Sequence, residues 1–117
     1  MGISRTCAVA LLLSLAAGGV RAQDSSGPNC IAYRVQKGAV AVHGAFVRTS
    51  DPAFWIEANS DGSSSSQWVR TFEANGVIRL RDPSHAMTAR IDLSRRVVVE
   101  QRDGGGPETA LSIVFVQ

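Results

Sequence analysis

Turn-forming residues recur every 8 to 12 positions along most of this 117-residue chain. The segments between them are rich in β-branched residues, because residues 23–117 contain 11 Val and 5 Ile but only 3 Leu. Val and Ile suit a pleated, half-buried surface, whereas helical domains use Leu and Ala. No credible helix of ten residues is visible. The turn spacing is typical of a β-meander and argues against alternating strands and helices.

The pattern predicts an all-β fold, a small antiparallel up-and-down barrel of about eight strands. A flat eight-stranded sheet would leave its edges exposed, so the strands must close into a barrel or stack as a two-layer β-sandwich. We favour the barrel and keep the sandwich as the alternative. The predicted strands cover residues 31–36, 39–49, 53–59, 67–74, 77–81, 86–93, 97–101 and 108–117.

The first 22 residues have the organisation of a cleavable signal peptide. Arg5 precedes an apolar run over 8–17, and Ala22 provides a small residue at the predicted cleavage site. The run is shorter than the roughly 20 residues that a transmembrane helix needs. The sequence therefore predicts a secreted or periplasmic protein with no membrane insertion after cleavage. A polar lead-in over 23–29 then precedes a single all-β domain over 30–117.

Removal of residues 1–22 would change the charge and the cysteine content. Arg5 and Arg21 would be lost, leaving ten basic and ten acidic residues. A formal charge of zero provides no general basic field, so no nucleic-acid partner is predicted. Cys30 would be the only cysteine left, which predicts no internal disulfide. Cys30 is then a small buried residue, an intermolecular disulfide partner in a homodimer, or a catalytic or sensor thiol.

Hairpin registers assign the side chains to two faces. Asn75 and Gly76 are the strongest hairpin signal, since both central positions of a type I′ turn need positive φ. Gly44, inside a predicted strand, indicates a bulge or a bend. A four-residue loop over 82–85 and a three-residue turn over 94–96 complete the registers. The predicted inner face consists of Phe54, Ile56, Ala58, Val69, Ile78, Leu80, Met87, Ala89, Ile91, Leu93, Val97 and Val99.

The predicted outward face combines tryptophans with arginines. Arg70 and Arg81 are expected directly opposite each other on it. Exposed rings among guanidinium groups suit a sugar ring, a carboxylate or sulfate, or a protein surface, so we predict a binding module for a glycan or a protein. In the alternative, Arg stems cover apolar surface and nearby acids neutralise the charge. The candidate ligand-binding residues are Trp55, Glu57, Trp68, Arg70, Arg79 and Arg81.

The remaining polar motifs give little support for chemistry. Asp82 and His85 are the simplest candidates for an enzyme, but Asp-Pro-Ser is ordinary turn chemistry. His43 lies far from His85 along the chain, with no carboxylate at ligand spacing, so no metal site is predicted. The chain contains no phosphate-binding loop, dinucleotide-binding motif or nucleophile elbow. We therefore predict no cofactor and no enzymatic activity.

Two further functions stay open at this point. The Val- and Ile-rich segment 112–116 would allow a structural or assembly protein to form a homodimer through an open strand edge. Small exported barrels also include lectins and inhibitors of secreted hydrolases, an analogy at the level of fold alone. The sequence matches no family motif residue by residue.

Overall fold

The computed structural model describes residues 27–59 and 65–117. Each strand pairs antiparallel with the next, and the last strand pairs with the first, so the sheet closes into a barrel. This confirms the predicted eight-stranded up-and-down barrel and excludes the sandwich. The predicted signal peptide lies outside the described residues, as do most of the lead-in and residues 60–64. The strands are β1 (Cys30–Lys37), β2 (Val40–Arg48), β3 (Phe54–Asn59), β4 (Ser65–Ala74), β5 (Val77–Asp82), β6 (Met87–Asp92), β7 (Val97–Arg102) and β8 (Thr109–Val116).

Large side chains fill the interior of the barrel. Eight strands enclose a space just wide enough for side chains to occupy it completely. Tyr33, Phe46 and Trp68 form a chain of tilted and edge-on rings, with centroids 5.5 and 5.7 Å apart. The remaining buried members of this core are Ile31, Trp55, Ile78, Leu80, Ala89, Ile91, Val98, Leu111 and Ile113.

The predicted turn between β4 and β5 is confirmed. Asn75 and Gly76 both have positive φ, at 55° and 78°, and Ala74 pairs with Val77. The predicted facing of β5 and β6 is also confirmed, with Ile78, Leu80, Ala89 and Ile91 in the core. The register between these strands differs from the prediction by two residues, because Leu80 pairs with Ala89 rather than with Met87. A shift of two preserves the face of every side chain.

The predicted facing of β3 and of most of β4 is wrong, and a β-bulge is the reason. The register between β4 and β5 shifts between Arg70 and Phe72, so Arg70 rather than Thr71 pairs with Leu80. One extra residue reverses every side chain that precedes it on the strand. The residues predicted to be inside, Phe54, Ile56, Ala58 and Val69, therefore face outward, while Trp55, Glu57, Asn59, Trp68 and Arg70 face the interior.

The predicted facing of β7 is also wrong. Asp92 pairs with Val97, so the connection is a four-residue loop over 93–96 and not a three-residue turn. This difference of one residue turns Val97 and Val99 outward. Val98 is fully buried in their place, and Glu100, paired with Ala89, lies on the same inward face.

Barrel closure removes the open edge that the assembly hypothesis requires. Within the described residues, β8 pairs with β7 on one side and with β1 on the other. Dimerisation through segment 112–116 would therefore require one of these two ladders to open, and it stays an untested alternative.

A smaller apolar cluster lies on the outward side of β1, β2 and β8. It consists of Cys30, Ala32, Ala45 and Val47, with Phe115 packed against it. The predicted burial of Cys30 is confirmed. In the full-length chain Cys30 is disulfide-bonded, and its partner lies outside the described residues. The prediction of no internal disulfide concerns the chain after removal of residues 1–22, so it stays a prediction.

Gly44 has a different role from the predicted bulge or bend. The pairing of β2 with β1 is regular through this position, and the β2–β3 ladder reaches Gly44 without a shift of register. A Cβ on Gly44 would lie 2.5 Å from Tyr33 Oη and 2.9 Å from the carbonyl oxygen of Ala58. Gly44 thus provides the space in which the Tyr33 ring crosses the interior.

Candidate functional site

The six predicted ligand-binding residues do not form one surface. Trp55 and Trp68 are 0% and 2% exposed, and they pair with each other inside the barrel. Glu57 and Arg70 also face inward, which leaves Arg79 and Arg81 on the outward side of β5. The predicted Trp/Arg surface is therefore wrong for four of its six residues.

Glu57 is the centre of a polar cluster inside the barrel. Tyr33 Oη donates a hydrogen bond to Glu57 Oε2 at 2.5 Å, and Trp68 Nε1 donates one to Oε1 at 3.1 Å. Burial raises the pKa of Glu57, and these two hydrogen bonds offset only part of the increase. Burial and the neighbouring charge of Glu57 also raise the pKa of Tyr33, so Tyr33 remains a hydrogen-bond donor.

Glu100 brings a second carboxyl group into this cluster. Burial raises its pKa to about 7, and the charge of Glu57 and a hydrogen bond to Glu57 contribute to the increase. Glu100 Oε2 is buried and has no hydrogen-bond partner among the described residues, so the contact with Glu57 is left to the other oxygen. Two adjacent buried carboxyl groups cannot both ionise cheaply. The pair therefore shares a proton at neutral pH.

A separate ionic network closes the opposite end of the barrel. Arg48 is 7% exposed and donates hydrogen bonds to both carboxylate oxygens of Glu73, at 3.1 and 2.9 Å. It also donates to the carbonyl oxygen of Pro28 and stacks 4.4 Å from the Trp55 ring centroid. Arg70 adds a third ion-pairing contact to Glu73 at 3.2 Å. Hydrogen bonding from Arg48 lowers the pKa of Glu73, so this acid stays ionised.

The outward side of β4, β5 and β6 presents a row of aromatic and basic residues. Phe72 pairs with Arg79, and Arg79 pairs with Arg90. The Phe72 side chain is 45% exposed, and the Arg79 guanidinium lies 5.4 Å from its ring centroid. Among the described residues, neither Arg79 nor Arg90 forms an ion pair. We refer to Phe72, Arg79 and Arg90 as the β4–β6 face.

Carboxylates close to the β4–β6 face are already engaged. Asp92, also outward on β6, accepts hydrogen bonds from Ser94 and from the backbone of Arg95. Asp103 forms an ion pair with Arg81 at 2.6 Å. The expected opposition of Arg70 and Arg81 is wrong, because Val69 pairs with Arg81. The like-charged cross-strand pair is instead Arg79 and Arg90.

The Asp82–His85 turn is tightly hydrogen-bonded. Asp82 Oδ2 lies 2.7 Å from His85 Nδ1, and Ser84 Oγ donates to Asp82 Oδ1 at 2.7 Å. Burial alone would raise the pKa of Asp82, but hydrogen bonds from Ser84 and His85 lower it overall. Ser84 Oγ contacts the same Nδ1 atom that Asp82 occupies, at 3.2 Å. A nucleophile activated by this histidine would contact Nε2, so the arrangement is that of a capped turn.

Within the described part of the chain, no cluster of three or more His, Cys, Asp or Glu residues is arranged to hold a metal ion. His43 lies on the outward side of β2, opposite Arg34. The same ranges contain no helix with the length and apolar character of a membrane span.

Comparison of the chain with protein-family models, with curated proteins and with solved structures finds no match. The hairpin register of β4 and β5 predicts Phe72 opposite Arg79, and this pairing is confirmed. Sequence reasoning missed Arg90 as the partner of Arg79, because the register of β5 and β6 differs from the prediction by two residues.

Proposed function

We propose that the protein is a small exported binding module without catalytic activity, which recognises an acidic protein surface through its β4–β6 face. The observation that carries this proposal is the direct opposition of Arg79 and Arg90 without an ion-pair partner among the described residues. Like charges directly opposite on a sheet destabilise it. A carboxylate-rich partner would remove this repulsion by forming bidentate hydrogen bonds with both guanidinium groups.

The composition of the face favours a protein over a glycan. Aromatic and Arg side chains are enriched at the centres of protein interfaces and among hot spots. A sugar platform needs an open aromatic ring, but both tryptophans are buried, and Arg79 already lies over Phe72.

Export is the second part of the proposal. It rests on the order of charged, apolar and small residues in segment 1–22. Cleavage would leave the protein without a general basic field, so that attraction to an acidic partner would come from local patches such as the β4–β6 face. Intact-mass measurement of the exported protein tests this part, and retention of residues 1–22 would contradict it.

A binding panel tests the main part. The probes are immobilised poly-L-glutamate for an acidic protein surface, heparin for a sulfated glycan and dextran for a neutral glycan. We expect binding to poly-L-glutamate, with a loss of at least about tenfold in the Arg79→Glu/Arg90→Glu variant, since a lost hot spot costs roughly 1 to 3 kcal/mol. Arg34→Glu/Arg95→Glu has the same net charge and is the matched control. Binding to heparin or dextran alone would contradict the preference for protein, and equal losses in both variants would contradict the site.

A further inference from the structure

The buried carboxyl pair Glu57 and Glu100 has no role in the proposed binding face, and it lies where the barrel is least extensively paired. β8 has the shortest ladders of the barrel, pairing with β7 only through residues 97–100 and 109–112. Glu100 with Thr109 is the last pair of that ladder. Beyond it, the chain runs through the exposed loop over 103–108.

We propose that the Glu57–Glu100 pair is a pH-sensitive latch on the β7–β8 seam, holding it closed in acid and loosening it as the pH rises towards neutral. When the pair carries a proton, one carboxyl donates to the other and the pair holds a single negative charge. When the second proton leaves, two adjacent buried carboxylates repel each other. The ladder that ends at Glu100 is the nearest structure able to yield.

Few groups face the pair with a charge that could neutralise it. Tyr33 on β1 and Trp68 on β4 supply hydrogen-bond donors and no charge. Asp82 on β5 is a third acid, and its charge further raises the pKa of Glu57. Lys37, at the exposed end of β1, is the cation that acts on Glu100, and it offsets only part of the shift. The residues of β6 and β8 nearest Glu100 in the ladders, Ala89 and Thr109, carry no charge.

The direction of the pH effect follows from proton linkage. Glu100 has a pKa of about 7 in the barrel, against an ordinary value near 4.3 in the unfolded chain. At any pH between these two pKa values, the closed seam therefore binds more protons than the open seam. Closure weakens as the pH rises from the lower pKa value to the higher one. One proton gives a change in the opening equilibrium of up to about tenfold per pH unit. The change levels off above pH 7.

Amide hydrogen exchange, corrected for the intrinsic pH dependence of exchange, tests the latch on the intact protein. Protection of the β7–β8 amides should fall by up to about tenfold per pH unit from pH 5 to 7. Protection of the β5–β6 amides should fall much less. A fall of equal size in both pairs of strands would indicate global unfolding and overturn the seam proposal, as would constant protection at β8.

Three variants separate the latch from other causes. Glu100→Gln should abolish the pH dependence at β8, and Glu57→Gln provides a second test if Glu100→Gln does not fold. Glu108→Gln, an exposed carboxyl in the neighbouring loop, should leave it unchanged. His43→Asn should also leave it unchanged, since His43 lies on the outward side of β2. Loss of the pH dependence in either of the last two variants would overturn the assignment to Glu57 and Glu100.

Discussion

Arg79 and Arg90 face each other directly across β5 and β6 on the outward side of the barrel. Because the two side chains repel each other, we predict that replacing one of them by an acid raises the stability of the fold and weakens binding. Arg90→Glu replaces a like-charged pair by an ion pair and should stabilise the fold by about 0.5 to 1 kcal/mol. The same variant should lose affinity for poly-L-glutamate. Urea denaturation checks the stability, and a destabilised Arg90→Glu would contradict the assigned pairing.

The inward orientation of Trp55 makes a second prediction. Trp55→Ala should destabilise the protein by about 3 to 5 kcal/mol, because it opens a cavity in a filled core. Ile56→Ala, its neighbour on the same strand, should cost below about 1 kcal/mol, because Ile56 faces outward and is 41% exposed. Thermal melts of both variants check the orientation of β3. A larger loss in Ile56→Ala would show that the strand faces the other way.

The ionic network at the closed end makes a third prediction. Glu73→Gln removes the carboxylate from a buried guanidinium and should cost about 3 to 5 kcal/mol. The folded-state pKa of Glu73 lies below its unfolded value, so the contribution is fully present above about pH 4.5 and is lost as the pH falls through the folded-state pKa. Arg70→Ala is the control: Arg70 is 35% exposed, and we expect a loss of at most about 1 kcal/mol. Urea denaturation at pH 6 and pH 3 measures both, and equal losses for the two variants would contradict this account.

The overall topology could be predicted from the sequence because turn chemistry is local. Asn75-Gly76 encodes its own backbone conformation, and β-branched segments between regular turns encode strands. The faces of β5 and β6 were also predictable. An error of two residues in their register leaves the inward and outward sets unchanged.

The interior polar cluster could not be predicted, because the inward or outward position of each of its two acids depends on one extra residue in a strand or loop. The bulge near Thr71 reverses the side chains of β3 and of the start of β4, so a prediction without the bulge places Glu57 outside. The loop over 93–96, one residue longer than predicted, did the same for Glu100. Charged residues are rarely buried unless paired, so composition reinforced both errors. Thr71 itself carries no sequence signal for a bulge.

The central claim is that an acidic protein surface binds to the outward side of β4, β5 and β6. NMR titration of isotope-labelled protein with poly-L-glutamate tests it residue by residue, with the Arg79→Glu/Arg90→Glu variant as the control. We predict the largest chemical-shift changes at Phe72, Arg79 and Arg90, and none at these positions in the variant. Changes centred instead on Arg34 or Arg95, or no changes at all, would contradict the claim.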